Sequence, residues 1–196
     1  MSERITRVEL LEGAVLTGGG VAVGGIVITA LPEFADSKAS AAKDAEILNF
    51  ALLLEYVQAG LYADALARKT LTGERREFAK VVGEHERTHI AFIRKALGGK
   101  ARKPPKLDFG DDTATPETFT DVALKLEDLG VAAYNAQAPN LTRPALAAAA
   151  RIVSVEARHA AWIRAIAGVT PAPDAAEPPA SARRVAATLK GSGYLG

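Results

Sequence analysis

Two short stretches, Glu86-Arg-Thr-His89 and Glu156-Ala-Arg-His159, restrict what this chain can fold into more than any other feature. Each is a Glu-x-x-His inside a segment with helical periodicity, and residues i and i+3 of a helix share one face. Carboxylate and imidazole can therefore approach one ion together. Two of the three histidines in the sequence take part. About 30 residues upstream of each motif, a single Glu interrupts a strongly apolar helical run. These are Glu55 in Asn49-Phe-Ala-Leu-Leu-Leu-Glu-Tyr-Val57 and Glu127 in Val122-Ala-Leu-Lys-Leu-Glu-Asp-Leu-Gly-Val131. A carboxylate on such a stripe is costly, because an unpaired buried Glu must protonate or bury its charge. A metal ion removes that difficulty. Salt bridges are the other way out, but no Lys or Arg recurs on the inward stripes.

The periodicity predicts helix one over about Ala41–Lys69, with Leu48, Leu52, Glu55, Ala59 and Tyr62 on one stripe. Helix two is expected over Gly73–Leu97, aligning Val82, Glu86, His89 and Ile93, with Thr72 as N-cap and Gly98-Gly99 as stop. Lys100 to Thr115 is a polar, proline-containing connection without helical period. Thr115-Pro116-Glu117 then reads as N-cap, N1 proline and an acid in the first turn. Helix three extends to about Gln137, aligning Leu124, Glu127, Val131 and Tyr134, and Pro139 ends it. Thr142-Arg-Pro144 opens helix four, which runs to about Ala167 with Ile152, Glu156, His159 and Ile163 in line. The two halves thus repeat one helical hairpin. Residues 41–168 form the expected bundle, 1–40 an N-terminal appendage, and 169–196 a linker with a short helix over Ser181–Lys190. The last six residues are not expected to fold by themselves.

The ordered pattern Glu, Glu-x-x-His, Glu, Glu-x-x-His on four successive helices resembles the ferritin-like di-metal carboxylate superfamily. Within it, the likeness is to bacterial ferritin-like domain proteins related to desiccation-associated proteins, from about Asp44 to Gly168. The resemblance implies an all-α fold, a four-helix bundle with a long crossover between helices 2 and 3. It implies two Fe or two Mn ions per chain. Glu55 and His89 would be terminal ligands of one ion, Glu127 and His159 of the other, with Glu86 and Glu156 bridging. Four carboxylates and two imidazoles suit Fe or Mn, whereas zinc takes fewer ligands tetrahedrally. Tyr62 and Tyr134 each follow a ligand Glu by two helical turns. In the resembling bacterioferritins, tyrosines so placed stand beside the di-iron centre, as hydrogen-bond partners of a ligand or as electron donors. A core tyrosine with a satisfied hydroxyl is the plainer alternative. The implied function is redox activity towards O2 or peroxide, ferroxidase- or peroxidase/catalase-like. The alternative is a non-catalytic metal-binding stress (desiccation-related) protein or an iron-sequestering one. His85 reads as a surface or inter-helix residue, and Glu84, Arg87, Arg158 and Arg164 as solvated.

The chain has no cysteine, so it can build no disulfide, thiol nucleophile or Cys-bound iron–sulfur centre. Electrons for a redox site must come from the substrate, the metal or a separate partner. A net charge of +1 without a basic block gives no sign of a nucleic-acid partner. Arg4 and Arg7 precede the glycine-rich apolar run Ala14–Leu31, a signal-like arrangement of twin-arginine type, although Val8 stands where a second Arg is expected. Two expectations stay open: export to the cell envelope with cleavage near Ser37-Lys-Ala39, or a retained segment packed as helix or loop in a cytoplasmic protein. Its glycine content speaks against a permanent membrane helix, so membrane contact through residues 10–31 is not expected. Homo-oligomerisation is left open.

Overall fold

A computed structural model describes residues 21–23, 26–28, 39–176 and 180–195. Four long helices dominate it: α1 (Ala41–Arg68), α2 (Gly73–Leu97), α3 (Pro116–Gln137) and α4 (Arg143–Ile166), followed by a shorter α5 (Ala182–Gly191). The expected all-α bundle is the observed one, and the helix ends follow local chemistry. Ser40 caps α1 by accepting from the Lys43 amide, and Lys69 closes it in the left-handed region at φ 60°. Thr115 and Thr118 cap α3 reciprocally, with Pro116 in the first turn. Thr72 and Thr142 occupy the expected N-cap positions but make no side-chain cap bond. The Thr142 amide (2.9 Å) and hydroxyl (2.5 Å) instead donate to Asp44, so the first turn of α1 fixes the start of α4.

α1 packs chiefly on α2 and α3 on α4, and α1–α3 and α2–α4 contacts close the bundle. The core falls into two apolar clusters. One holds Tyr62, Phe78, Val82, Phe119 and Ile163; the other holds Leu52, Ile93, Tyr134 and Ile152. The start of α1 therefore lies beside the end of α2, the end of α3 and the start of α4. In consequence α2 and α3 run in the same direction, and the chain between them must travel back along the bundle.

That return is the long connection 101–115, laid against α1. The Arg102 amide donates to Asn49 (2.8 Å), Arg68 donates to the Gly110 carbonyl (2.6 Å), and Thr113 donates to Asp64. Midway, a Cβ on Gly60 would come within 2.6 Å of the Leu107 side chain and 3.2 Å of Phe109, so glycine lets the crossover press this close to α1 without moving those side chains. The C-terminal residues, expected to be irregular alone, are ordered by the same crossover. Leu195 pairs with Leu107, the Asp108 amide donates to the Tyr194 carbonyl (3.0 Å), and the Tyr194 hydroxyl donates to Asp112 (2.5 Å). The linker docks as well, its Ala180 amide donating to the Ala132 carbonyl of α3 (3.1 Å).

Of the N-terminal appendage, residues 21–23 and 26–28 form an antiparallel pair of strands (β1, β2), where helix or loop was the expectation for a retained segment. The twin-arginine-like start, and Ser37 and Lys38 of the expected cleavage site, lie outside the described residues. Among the described residues, no helix is long and apolar enough to cross a membrane.

Candidate metal centre

Glu55, Glu86, His89, Glu127, Glu156 and His159 sit between the two apolar clusters, one position from each of α1 and α3 and two from each of α2 and α4. All four carboxylates are fully buried, and the two imidazoles nearly so. The arrangement follows directly from the sequence. On each helix the polar step interrupts an apolar stripe that continues above and below it, so bundle formation forces the interruptions to meet.

They meet as two overlapping groups. Glu55, Glu86, His89 and Glu156 each offer a ligand atom within 4.8 Å of the others, and so do Glu86, Glu127, Glu156 and His159. Glu86 and Glu156 belong to both groups. In the first, His89 Nδ1 lies 3.2 Å from Glu55, 3.0 Å from Glu86 and 3.1 Å from Glu156. In the second, His159 Nδ1 lies 3.1 Å from Glu86 Oε1, 3.5 Å from Glu127 Oε2 and 3.7 Å from Glu156 Oε1.

The four atoms of this second group share a deficiency. Glu86 Oε1, Glu127 Oε2, Glu156 Oε1 and His159 Nδ1 are all buried, and none makes a hydrogen bond. A buried polar atom without a partner is expensive, and four of them turned on one another call for a cation. Asp128 Oδ1 also lacks a hydrogen bond, but the Arg164 guanidinium stands 2.8 Å away. Oxygen and imidazole donors of this kind suit a hard-to-borderline metal ion.

The electrostatics agree with crowding. Burial, and then the neighbouring Glu86, push Glu55 up to about 8. Burial and then Glu55 raise Glu156 in the same way. Burial alone would lower both imidazoles. For His89 the nearby carboxylates of Glu156, Glu55 and Glu86 outweigh it, and for His159 those of Glu127 and Glu86, so both are raised. The cluster holds protons tightly when nothing else is there to hold.

Around this core lies a set of fixed donors. The Tyr134 hydroxyl donates to Glu55 Oε1 (2.5 Å), and the Tyr62 hydroxyl donates to Glu127 Oε1. Each phenol therefore reaches the carboxylate of the opposite helix, and burial holds both well above the usual phenol range, so they stay donors. Gln58, which the ligand pattern does not signal, places its amide nitrogen 3.1 Å from Glu127 Oε1 and 3.3 Å from Glu156 Oε2.

His85 is exposed, yet its Nδ1 lies 2.9 Å from His159 Nε2 and the two rings stack at 5.1 Å. Desolvation and then the adjacent His159 depress its pKa, which keeps the ring neutral and able to accept a hydrogen bond from His159 Nε2, fixing the orientation of that imidazole with Nδ1 toward the cluster. Glu84 and Arg87 are exposed and paired with each other, as expected of solvated residues. Arg164 corrects its expected surface placement: it is buried, because Asp128 beside Glu127 gives its charge a partner across the α3–α4 contact.

A helical bundle closed around buried Glu and His groups that can hold metal ions defines the class of protein. The family model of the ferritin-like domain matches residues 43–169, and the chain belongs to that family. A search of curated proteins finds no match to the chain.

Proposed function

We propose that this chain is a di-metal carboxylate protein, holding two Fe or two Mn ions and acting as an oxidoreductase on O2 or peroxide. The observation that carries the reading is the sharing of Glu86 and Glu156 between two otherwise separate ligand groups. Glu86 and Glu156, common to both groups, would bridge two adjacent ions, with Glu55 and His89 completing one position and Glu127 and His159 the other. Four carboxylates balance two divalent charges, so the filled site is close to neutral and suits its burial. When bound, such ions supply reversible one-electron chemistry.

The chain's own residues do the rest. The apolar clusters at either end keep bulk water out. Tyr62 and Tyr134 fix one oxygen each of Glu127 and Glu55, leaving the other oxygen to face inward. His85 Nδ1 accepts a hydrogen bond from the outer nitrogen of His159 and holds that ring in place. Phe78 meets Tyr62 edge-on at 5.7 Å and Trp162 edge-on at 5.2 Å, and the Trp162 indole donates to exposed Glu74. Two oxidisable side chains thus flank one ring between the cluster and the exterior. A purely structural metal staple has no use for that arrangement, which supports redox turnover over the staple reading.

The test is metal analysis of protein purified from its native host, followed by O2 and peroxide uptake by Fe(II)- and Mn(II)-loaded samples. Consumption over multiple turnovers is the expected result. Inertness of both forms would leave a metal-holding stress or sequestering protein.

A further inference from the structure

The repeat that relates the two hairpins breaks at one place in the site. Helix α1 reads Glu55, Gln58, Tyr62, whereas α3 reads Glu127, Gly130, Tyr134 at the same spacing. The glycine leaves room that a side chain would narrow. A Cβ at Gly130 would come 3.2 Å from Glu156 Oε2 and 3.3 Å from Gln58 Nε2, so Gln58 occupies the room that Gly130 leaves. Both partners of the Gln58 amide are carboxylate oxygens, so its NH2 must face them; the flipped amide would set a carbonyl against two acceptors.

The consequence is an unequal pair. Glu127 Oε1 receives two donors, Tyr62 and Gln58, whereas Tyr134 is the hydrogen-bond donor to Glu55 Oε1. Gln58 also holds Glu156 Oε2. The oxygens left over, Glu127 Oε2 and Glu156 Oε1, make no hydrogen bond among the described residues and lie 3.5 and 3.7 Å from His159 Nδ1. On the other side, His89 Nδ1 bonds Glu55 Oε2 (3.2 Å) and Glu86 Oε2 (3.0 Å) and stands 3.1 Å from Glu156 Oε1. Its three carboxylates are drawn in more closely than Glu127 and Glu156 are about His159, so an entering ion must displace more contacts there.

We propose that Gln58 is a positioning residue that makes the two metal positions unequal, so that the Glu127–His159 position fills first and the Glu55–His89 position second. The inference rests on the di-metal reading above. By fixing one oxygen of Glu127 and one of Glu156, Gln58 pre-sets the first position before any ion arrives.

The experiment titrates the metal-free full-length chain with Co(II), following visible absorption for geometry and calorimetry for stoichiometry. The expected wild-type result is two ions in two resolved steps, the tighter lost in His159→Ala and the weaker in His89→Ala. Gln58→Met keeps the length and burial of the side chain but removes both donors. It should weaken the first step by about 10–100-fold, the usual cost of losing an outer-shell partner, and draw the two steps together. Gly130→Ala displaces Gln58 from the opposite helix and should act in the same direction. That variant carries the test if Gln58→Met does not fold. Two ions bound in one indistinguishable step by the wild type, or two steps that neither variant moves, would overturn the role of Gln58. Fewer than two ions bound by the wild type would instead overturn the di-metal reading and this inference with it.

Discussion

The Tyr62 hydroxyl donates to Glu127, on a different helix and in the other half of the chain, and not to Glu55 two turns before it. Tyr134 returns the contact to Glu55 at 2.5 Å. The two phenols therefore cross-strap α1 and α3 through the site, one in each apolar cluster. Removing either hydroxyl leaves a buried carboxylate oxygen short of a donor, which costs about 1–3 kcal/mol when no substitute exists. Glu127 retains Gln58 after Tyr62→Phe, whereas Tyr134→Phe removes the donor of Glu55 Oε1. Urea unfolding should therefore find Tyr134→Phe the more destabilised of the two. Equal or reversed losses would contradict the asymmetry.

If the phenols also serve as electron donors, the double variant Tyr62→Phe/Tyr134→Phe should keep its metal but suffer under turnover. The expected outcome is faster loss of activity and more oxidised peptide, read by mass spectrometry after Fe(II) and O2 exposure. Unchanged damage would restrict the tyrosines to holding Glu55 and Glu127.

Sharing of Glu86 and Glu156 makes a prediction about counting ions. Glu86→Ala should lose both metals, because one carboxylate serves each ion, whereas Glu55→Ala should retain the ion on the His159 side. Metal analysis after desalting distinguishes these. One zinc per chain that survives Glu86→Ala would contradict a shared site.

The proton affinity of the cluster sets the pH dependence of the metal-free form. Glu55 rises from 4.5 to about 8, so between those values the native state holds a proton that the unfolded chain has released. Its contribution to stability therefore falls as pH rises through that window. The imidazoles act with the same sign. His159 is raised from 6.5 to about 10, and its contribution, complete below the first value, is lost toward the second. In chelator, the melting temperature should be higher near pH 5 than near pH 9. Metal affinity should run the other way, because ions compete with these protons. A metal-free melting curve that is flat or rising across this range would argue against four carboxylates in contact.

Much of this was legible in the chain because the interruptions are periodic. Glu55, Glu86, His89, Glu127, Glu156 and His159 each sit on an apolar stripe, and the stripe fixes the face they share. Gln58 carries no such signal. It falls on the same face as Glu55, but glutamine is an ordinary residue in a helix, and its role depends on Gly130 opposite. The direction in which each tyrosine reaches was equally hidden, since spacing along α1 says nothing about the neighbouring helix. Arg164 reads as surface until Asp128 is placed beside it. The order of the C-terminal residues rests on single long-range contacts, Tyr194 with Asp112 and Leu195 with Leu107, which leave no pattern to detect.

The division of the site between two hairpins also shapes how the molecule assembles. α1–α2 brings Glu55, Glu86 and His89, and α3–α4 brings Glu127, Glu156 and His159, so each hairpin can form with only two carboxylates to reconcile. Hairpins are built from local contacts and form early; their union requires closing the crossover as well. If the hairpins form first, the crowding of four carboxylates arises only when they dock, and metal-free folding should be slowed at that step. Ions captured by one half would relieve it from within. Refolding after dilution from denaturant should then speed up with metal in the slow docking phase alone, and the chain's last large barrier becomes a gauge of the metal available while it folds.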